Sequence, residues 1–216
     1  MIGRFKCNIT SQETLISDLS LSEDKLWGVT TKTVRNEINR SKRENVGISV
    51  WRGKEISDAL LNKFNIMYHD MYEEKGMAGH YLSINELKEY YDKDDLVITT
   101  SEIEGKTVVY HSYITDGCHS KFLHLCSGFR VVDNAMRNAI GRANKYKYLH
   151  WNDWIYLKQQ GVVEYDWGDI ASYKKPNGID KFKLSFGGQY KKYYNLFCNC
   201  SIAAKVYAEI RAIIKK

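Results

Sequence analysis

Four stretches of this sequence carry residue types that could do chemistry. The first, Asn138-Ala-Ile-Gly141-Arg142-Ala143-Asn144, puts small residues at the start of a helix. Small residues there let backbone N–H groups approach a ligand closely. The helix N-terminus adds positive potential for phosphate, and Arg142 offers a fork of donors. The competing reading is a plain helix entry with glycine present for packing. The second, Tyr165-Asp166-Trp167-Gly168-Asp169-Ile170, sets a carboxylate between two aromatics near the C-terminal end of a strand, where open sheets usually place ligands. Such a carboxylate can have a raised pKa and act as a general base. Equally, the two aspartates can cap the following turn. The third is Gly178-Ile-Asp-Lys-Phe-Lys183-Leu-Ser-Phe-Gly187-Gly188. Its two phenylalanines fill a core while Lys181 and Lys183 project elsewhere. Lys183 suits a phosphate or carboxylate, or is simply solvated. The fourth is His150, beside Trp151. Of six scattered histidines it is the best placed for proton transfer, a core histidine with one hydrogen bond being the alternative.

Other chemistries lack their signatures. No H-x₃-H or H-E-x₂-H spacing supports a catalytic zinc, and no G-x-S-x-G supports a serine hydrolase. Five cysteines (Cys7, Cys118, Cys126, Cys198 and Cys200) have no repeating spacing, so the expectation is reduced thiols, no bound metal and a cytoplasmic location. No apolar run nears the ~20 residues of a membrane span. The N-terminus turns polar too soon for a signal peptide. With 44% hydrophobic and 13% aromatic residues among 216, the chain can bury a substantial core and is expected to be ordered.

These candidates need a frame to hold them. Residues 1–55 mix polar residues with strand-like pieces such as IGRFKCNI and VGISVW, and read as an N-terminal extension. From Ser57, apolar residues at three- and four-residue spacing predict a helix. Ser83-Ile-Asn-Glu86 is a capping box opening a second. Leu96–Cys126 reads as a three-stranded antiparallel meander with turns at Glu104-Gly105 and Asp116-Gly117. A long helix over 142–160 is apolar nearly all round and so expected to be buried. It is followed by a strand over 162–167, a helical turn, a strand over 190–198 and a final amphipathic helix capped by Ser201. The order predicts one α/β (α+β) domain over 1–216, with its core over 56–216: a mixed, largely antiparallel twisted sheet with helices on both faces. The formal charge of +6 sits wholly between Asp180 and Lys216, where eight cations face two acids. That suits an anionic partner.

Taken in order, IGRANKYKYLHWNDW, YDWGDI and GIDKFKLSFGG resemble the GNAT acyltransferase superfamily and its Fem-type branch. The resemblance implies transfer of an acyl group from a thioester or ester to an amine. It implies a loop for the pyrophosphate of coenzyme A at Asn138, Gly141, Arg142, Ala143 and Asn144, with Asn138 standing where the family has Gln or Arg. Asp166, His150 or Asp169 is then the base, and Lys183, Trp154 and Arg130 meet the acceptor. Fem-type enzymes that use aminoacyl-tRNA are typically built from two such units. The single unit expected here favours acyl-CoA as donor and a nucleotide-linked amino sugar, as in surface-polysaccharide synthesis, as acceptor. A tRNA-dependent transferase acting on a peptidoglycan precursor is the alternative, and a non-catalytic RNA- or ligand-binding module a further one. A homo-oligomer is compatible with all three.

Overall fold

The computed structural model describes residues 7–77, 79–128, 138 and 145–198. In chain order the elements are β1 (Cys7–Asp18), α1 (Glu23–Val29), α2 (Lys32–Arg43), β2 (Gly47–Arg52), α3 (Asp58–Glu73), α4 (Ile84–Tyr91), β3 (Leu96–Ile103), β4 (Lys106–Thr115), β5 (His119–Ser127), α5 (Lys145–Gln159), β6 (Glu164–Ile170), α6 (Gly178–Leu184) and β7 (Gln189–Cys198). The seven strands form one sheet in the order β2-β3-β4-β5-β6-β1-β7. All neighbours are antiparallel except β5 and β6. The mixed, largely antiparallel sheet expected from the sequence is therefore present.

Residues 7–52, read from sequence only as an extension, lie inside this frame. β1 sits between β6 and β7, and α1 and α2 bury Leu26, Val34 and Ile38 in the core. Their polar composition hid this because β1 carries Asn8, Thr10, Ser11, Gln12, Glu13 and Thr14 along most of its length.

Alternation along the strands sorts side chains to two cores. On one face Leu96, Ile98, Tyr110 and Cys126 pack under α3 and α4, with Leu61, Phe64 and Leu87. On the other, Val97, Tyr113, Tyr165 and Trp167 pack under α5, α1 and α2. A bulge places one extra residue in β5 where Tyr113 pairs with Phe122 but Ser112 pairs with His124. One extra residue inverts the alternation beyond it. Phe122 accordingly joins the α5 face, whereas Leu123 and Cys126 join the α3 face.

Ser57 caps α3 as its type suggests, its hydroxyl accepting from the Leu60 N–H at 3.1 Å. Ser83 precedes α4 but makes no side-chain cap, so the capping box marks the helix start without forming its bond. The strand predicted to end at Trp167 continues to Ile170, so Asp169 and Ile170 pair with β1 rather than turning, and the register shifts between them and Asp166. Within α5 no residue from Tyr146 to Lys158 is fully exposed, as its all-round apolar pattern requires.

Candidate active site

β5 and β6 pair in parallel over three residue pairs, His119 with Glu164, Ser120 with Tyr165 and Lys121 with Asp166. The paired ladder ends at Lys121 and Asp166, and this end is the fork between the two strands. The next residue on each strand, Phe122 and Trp167, turns its ring toward α5. There both meet the His150 ring, at centroid distances of 5.1 and 4.9 Å. His150 thus lies directly beneath the fork, fully buried.

His150 belongs to a buried polar cluster. His111 Nδ1 on β4 lies 2.8 Å from Asp153 Oδ2 and 2.9 Å from the Tyr113 hydroxyl. The Tyr113 hydroxyl also donates to Asp153 Oδ2. His150 Nδ1 is 3.4 Å from the Tyr165 hydroxyl and 4.0 Å from Asp153 Oδ2. Among the described residues neither histidine's Nε2 has a partner. Burial pushes the Asp153 carboxyl up to about 7 and His111 down to about 3. Burial, with His111 beside it, also drives His150 well below its ordinary value. His111 and Asp153 carried no motif of their own. Asp153 follows His150 by three residues, one turn along a helix, and that spacing was the available signal. His111 arrives only through the pairing of β4.

Lys183 reaches the same place from α6, its Nζ 4.0 Å from where a Cβ on Gly168 would stand. It is 9% exposed, and its ammonium donates to the Asp169 carbonyl at 2.8 Å. Burial pushes its pKa down, while Asp169, Asp180 and Asp166 pull it back. Its helix is anchored by Asp180, whose carboxylate accepts from the N–H groups of Ala171 at 3.0 Å, Ser172 at 3.2 Å and Asn177 at 3.1 Å. A solvated surface role for Lys183 is therefore excluded. Phe186 is fully buried and Phe182 partly so, as their spacing predicted.

The remaining expectations fare unevenly. Asp166 is not enclosed by its aromatic neighbours, because Tyr165 and Trp167 point to the opposite face. Its carboxylate instead accepts from the Gly168 N–H at 2.8 Å and lies 2.5 Å from the Thr14 hydroxyl. Asp169 is exposed, and Gln12 donates to its carboxylate at 3.3 Å. Trp154, expected to meet the acceptor, is wholly buried among Trp151, Tyr165, Trp167 and Phe186 and is a core residue. Asn138 is exposed. Gly141, Arg142, Ala143, Asn144 and Arg130 lie outside the described residues, as does the helix predicted after Ser201.

On the α3 side of the sheet, Lys121 and Asp166 also line a concave pocket of about 350 Å³ at the root of the fork. Asp95, Asp116 and Glu164 add three more carboxylates, and Tyr90 and Tyr193 add aromatic walls. The two free thiols among the described cysteines, Cys118 and Cys126, lie outside both fork and pocket.

The chain is similar in fold to several solved structures. FemX matches with a TM-score of 0.66 and 14% identity, over 92% of this chain and 63% of that one. The C-terminal (DUF2156) domain assigned to a lysylphosphatidylglycerol synthetase of Agrobacterium fabrum matches at 0.63 and 12%, over 96% and 66%. L-PGS from Bacillus licheniformis matches at 0.59 and 14%, over 95% and 66%. The chain has a GNAT-like fold, with Fem-type proteins among its structural neighbours. It spans just under two thirds of the length of these chains. No family model and no curated relative matches the sequence. No helix among the described residues is long and apolar enough to cross a membrane.

Proposed function

We propose that this chain is an acyltransferase that moves an acyl group from an activated thioester or ester to an amine at the fork between β5 and β6. The observation that carries the reading is the end of the short parallel ladder beside the aromatic residues that pack on His150, within a sheet similar to that of FemX. A parted ladder leaves strand-edge N–H and C=O groups unpaired, and these can hold an extended donor chain as a third strand would. Gly168 keeps the gap slender. A Cβ there would meet the Phe122 carbonyl at 3.2 Å and the Lys183 ammonium at 4.0 Å. The β5 bulge beside the fork offers a backbone N–H to the carbonyl oxygen as charge builds on it.

The acceptor enters from the pocket at the root of the fork. Four carboxylates there, with Lys121 among them and Lys191 paired with Glu164 at 3.2 Å, favour an amine that arrives protonated. The donor we favour is acyl-CoA, used in the cytoplasm. A nucleotide-linked amino sugar remains the favoured acceptor class of the sequence reading, its amine directed to the carboxylates. The alternative, transfer of an aminoacyl group, is supported by the likeness to FemX and to a protein named for making a lysyl lipid.

Release of free thiol, measured with a panel of acyl-CoAs and amines including amino sugars, tests the reading. Turnover of any pair supports it. Turnover of charged tRNA alone moves the donor to the aminoacyl alternative. Salt-sensitive RNA binding without turnover of either donor leaves a binding module.

A further inference from the structure

We infer that the outer part of the β1–β7 strand pair is a docking surface for a membrane carrying anionic headgroups. β7 is the outermost strand of the sheet. Its ladder pairs Leu196 with Ile9 and Tyr194 with Ser11. Residues paired across a ladder stand on one face of a sheet, and residues two apart along a strand share that face. Ile9, Tyr194 and Leu196 therefore form one patch, and they are 67%, 66% and 62% exposed. Exposed apolar residues scattered singly are ordinary, whereas apolar neighbours on one face mark a contact surface. Toward the core the same face continues through Lys192 to Tyr190, whose exposed ring packs on that of Tyr173 at 4.8 Å. Leu196 to Tyr190 spans roughly 20 Å of strand. The face goes under cover at Leu15, the partner of Tyr190 on β1.

The charge on this surface is positive. Lys192 holds its ammonium 5.4 Å from the centre of the Tyr194 ring. Lys174 and Lys175 follow Tyr173 and are exposed, as is Lys181. Glu13, the acid paired opposite Lys192, is already engaged, its carboxylate accepting from the Tyr173 N–H at 3.1 Å. The sequence beyond Cys198 adds Lys205, Arg211, Lys215 and Lys216 against Glu209.

Aliphatic tips, tyrosines and lysines in one band suit a bilayer interface. The tips enter the boundary between headgroups and acyl chains, tyrosine rings sit at headgroup depth, and lysine stems reach the phosphates. The cytoplasmic leaflet carries the matching negative charge. A nucleic acid would use the lysines and tyrosines but gain little from Ile9 and Leu196. Tyr193, between Lys192 and Tyr194, turns to the opposite face and lines the pocket at the root of the fork. A membrane on this surface thus leaves the pocket facing away from it. The inference does not rest on the transferase reading.

Co-sedimentation of the full chain with vesicles tests it. One set of vesicles is phosphatidylcholine alone, and the other is phosphatidylcholine mixed equally with phosphatidylglycerol. The protein should sediment with the mixed vesicles, come off them at high salt, and stay in solution with the neutral ones. Replacing Ile9, Tyr194 and Leu196 together by serine should weaken binding at least about tenfold. Lys174→Gln and Lys175→Gln should each weaken it about fivefold. All five side chains are exposed, so circular dichroism should stay unchanged. Leu196→Ser alone, weakening binding about threefold, carries the test if the triple variant unfolds. No binding to mixed vesicles, equal binding to neutral ones, or wild-type binding by the folded serine variants overturns the inference. So does binding of single-stranded RNA in place of vesicles, which gives the lysines to nucleic acid. A dimer that the serine variants abolish, with no vesicle binding, gives the face to a second copy and also overturns it. Vesicle binding without turnover of any acyl donor leaves this surface standing and counts against the transferase reading alone.

Discussion

Gly168 on β6 faces the carbonyl oxygen of Phe122 on β5 so closely that an added Cβ would stand 3.2 Å from it. Gly168 also has φ +70°, a backbone region that side chains rarely adopt. The position therefore resists substitution twice over. Gly168→Ala is expected to cost about 1–2 kcal/mol through the backbone alone. That corresponds to a fall in Tm of roughly 2–8 °C for a chain of this size. The same change narrows the fork, so activity at a temperature where the variant remains folded should fall further than the loss of stability explains. Thermal unfolding and thiol release on one preparation separate the two effects.

Lys183 supplies the cation inside the fork. Lys183→Met keeps much of the apolar stem and removes the ammonium that donates to the Asp169 carbonyl. It should reduce kcat/KM at least about tenfold, the scale of one lost charge-assisted hydrogen bond. Circular dichroism should report an unchanged fold. Full activity in this variant would show that the buried cation serves packing alone.

Asp153 makes stability depend on pH in a direction opposite to most carboxylates. Burial raises its folded pKa from 3.8 to about 7, so the folded state holds a proton that the unfolded chain releases. The resulting contribution favours folding below pH 3.8 and turns into a loss as pH rises toward 7. The advantage of Asp153→Asn over the wild type should therefore grow between pH 4 and pH 7 and level off above. It should reach the order of a few kcal/mol, less whatever the asparagine loses in hydrogen bonding. Urea titrations of both proteins at four pH values check this. His111, lowered to about 3 from 6.5, works the other way. Its contribution is intact above pH 6.5 and is lost as pH falls through that window.

Trp154 belongs to the core and not to the acceptor site. Trp154→Ala should destabilise the protein by roughly 3–5 kcal/mol. Trp154→Phe should cost far less and leave KM for any acceptor unchanged. A change in KM in the folded Phe variant would return Trp154 to the site.

The meander, the buried helix, the α6 turn and β7 were legible because each announces itself locally, through alternation, helical spacing or a glycine at a turn. β1 was not legible, since a strand between two others can be polar where its side chains meet polar neighbours. Thr14 beside Asp166 is such a case. The site divides in the same way. His150 was readable as a candidate because it stands next to Trp151 in an apolar helix. Asp166 misled, because its flanking aromatics, adjacent in sequence, lie on the other face of a strand. His111 becomes a site residue only when β4 is placed against α5, and no window of sequence contains both.

The position of β1 also sets the order in which the molecule can be made. β1 pairs with β6 and with β7, joining Glu13 to Ile170 and Cys7 to Cys198. β6 carries one side of the fork, and its other edge stays exposed until it captures a strand synthesised more than a hundred residues earlier. Loop closure over such distances is slow. A growing chain thus carries its aromatic cluster and its buried histidines partly uncovered until late in synthesis. Vulnerability to aggregation is set by the first strand in the sequence and not by the residues of the fork itself.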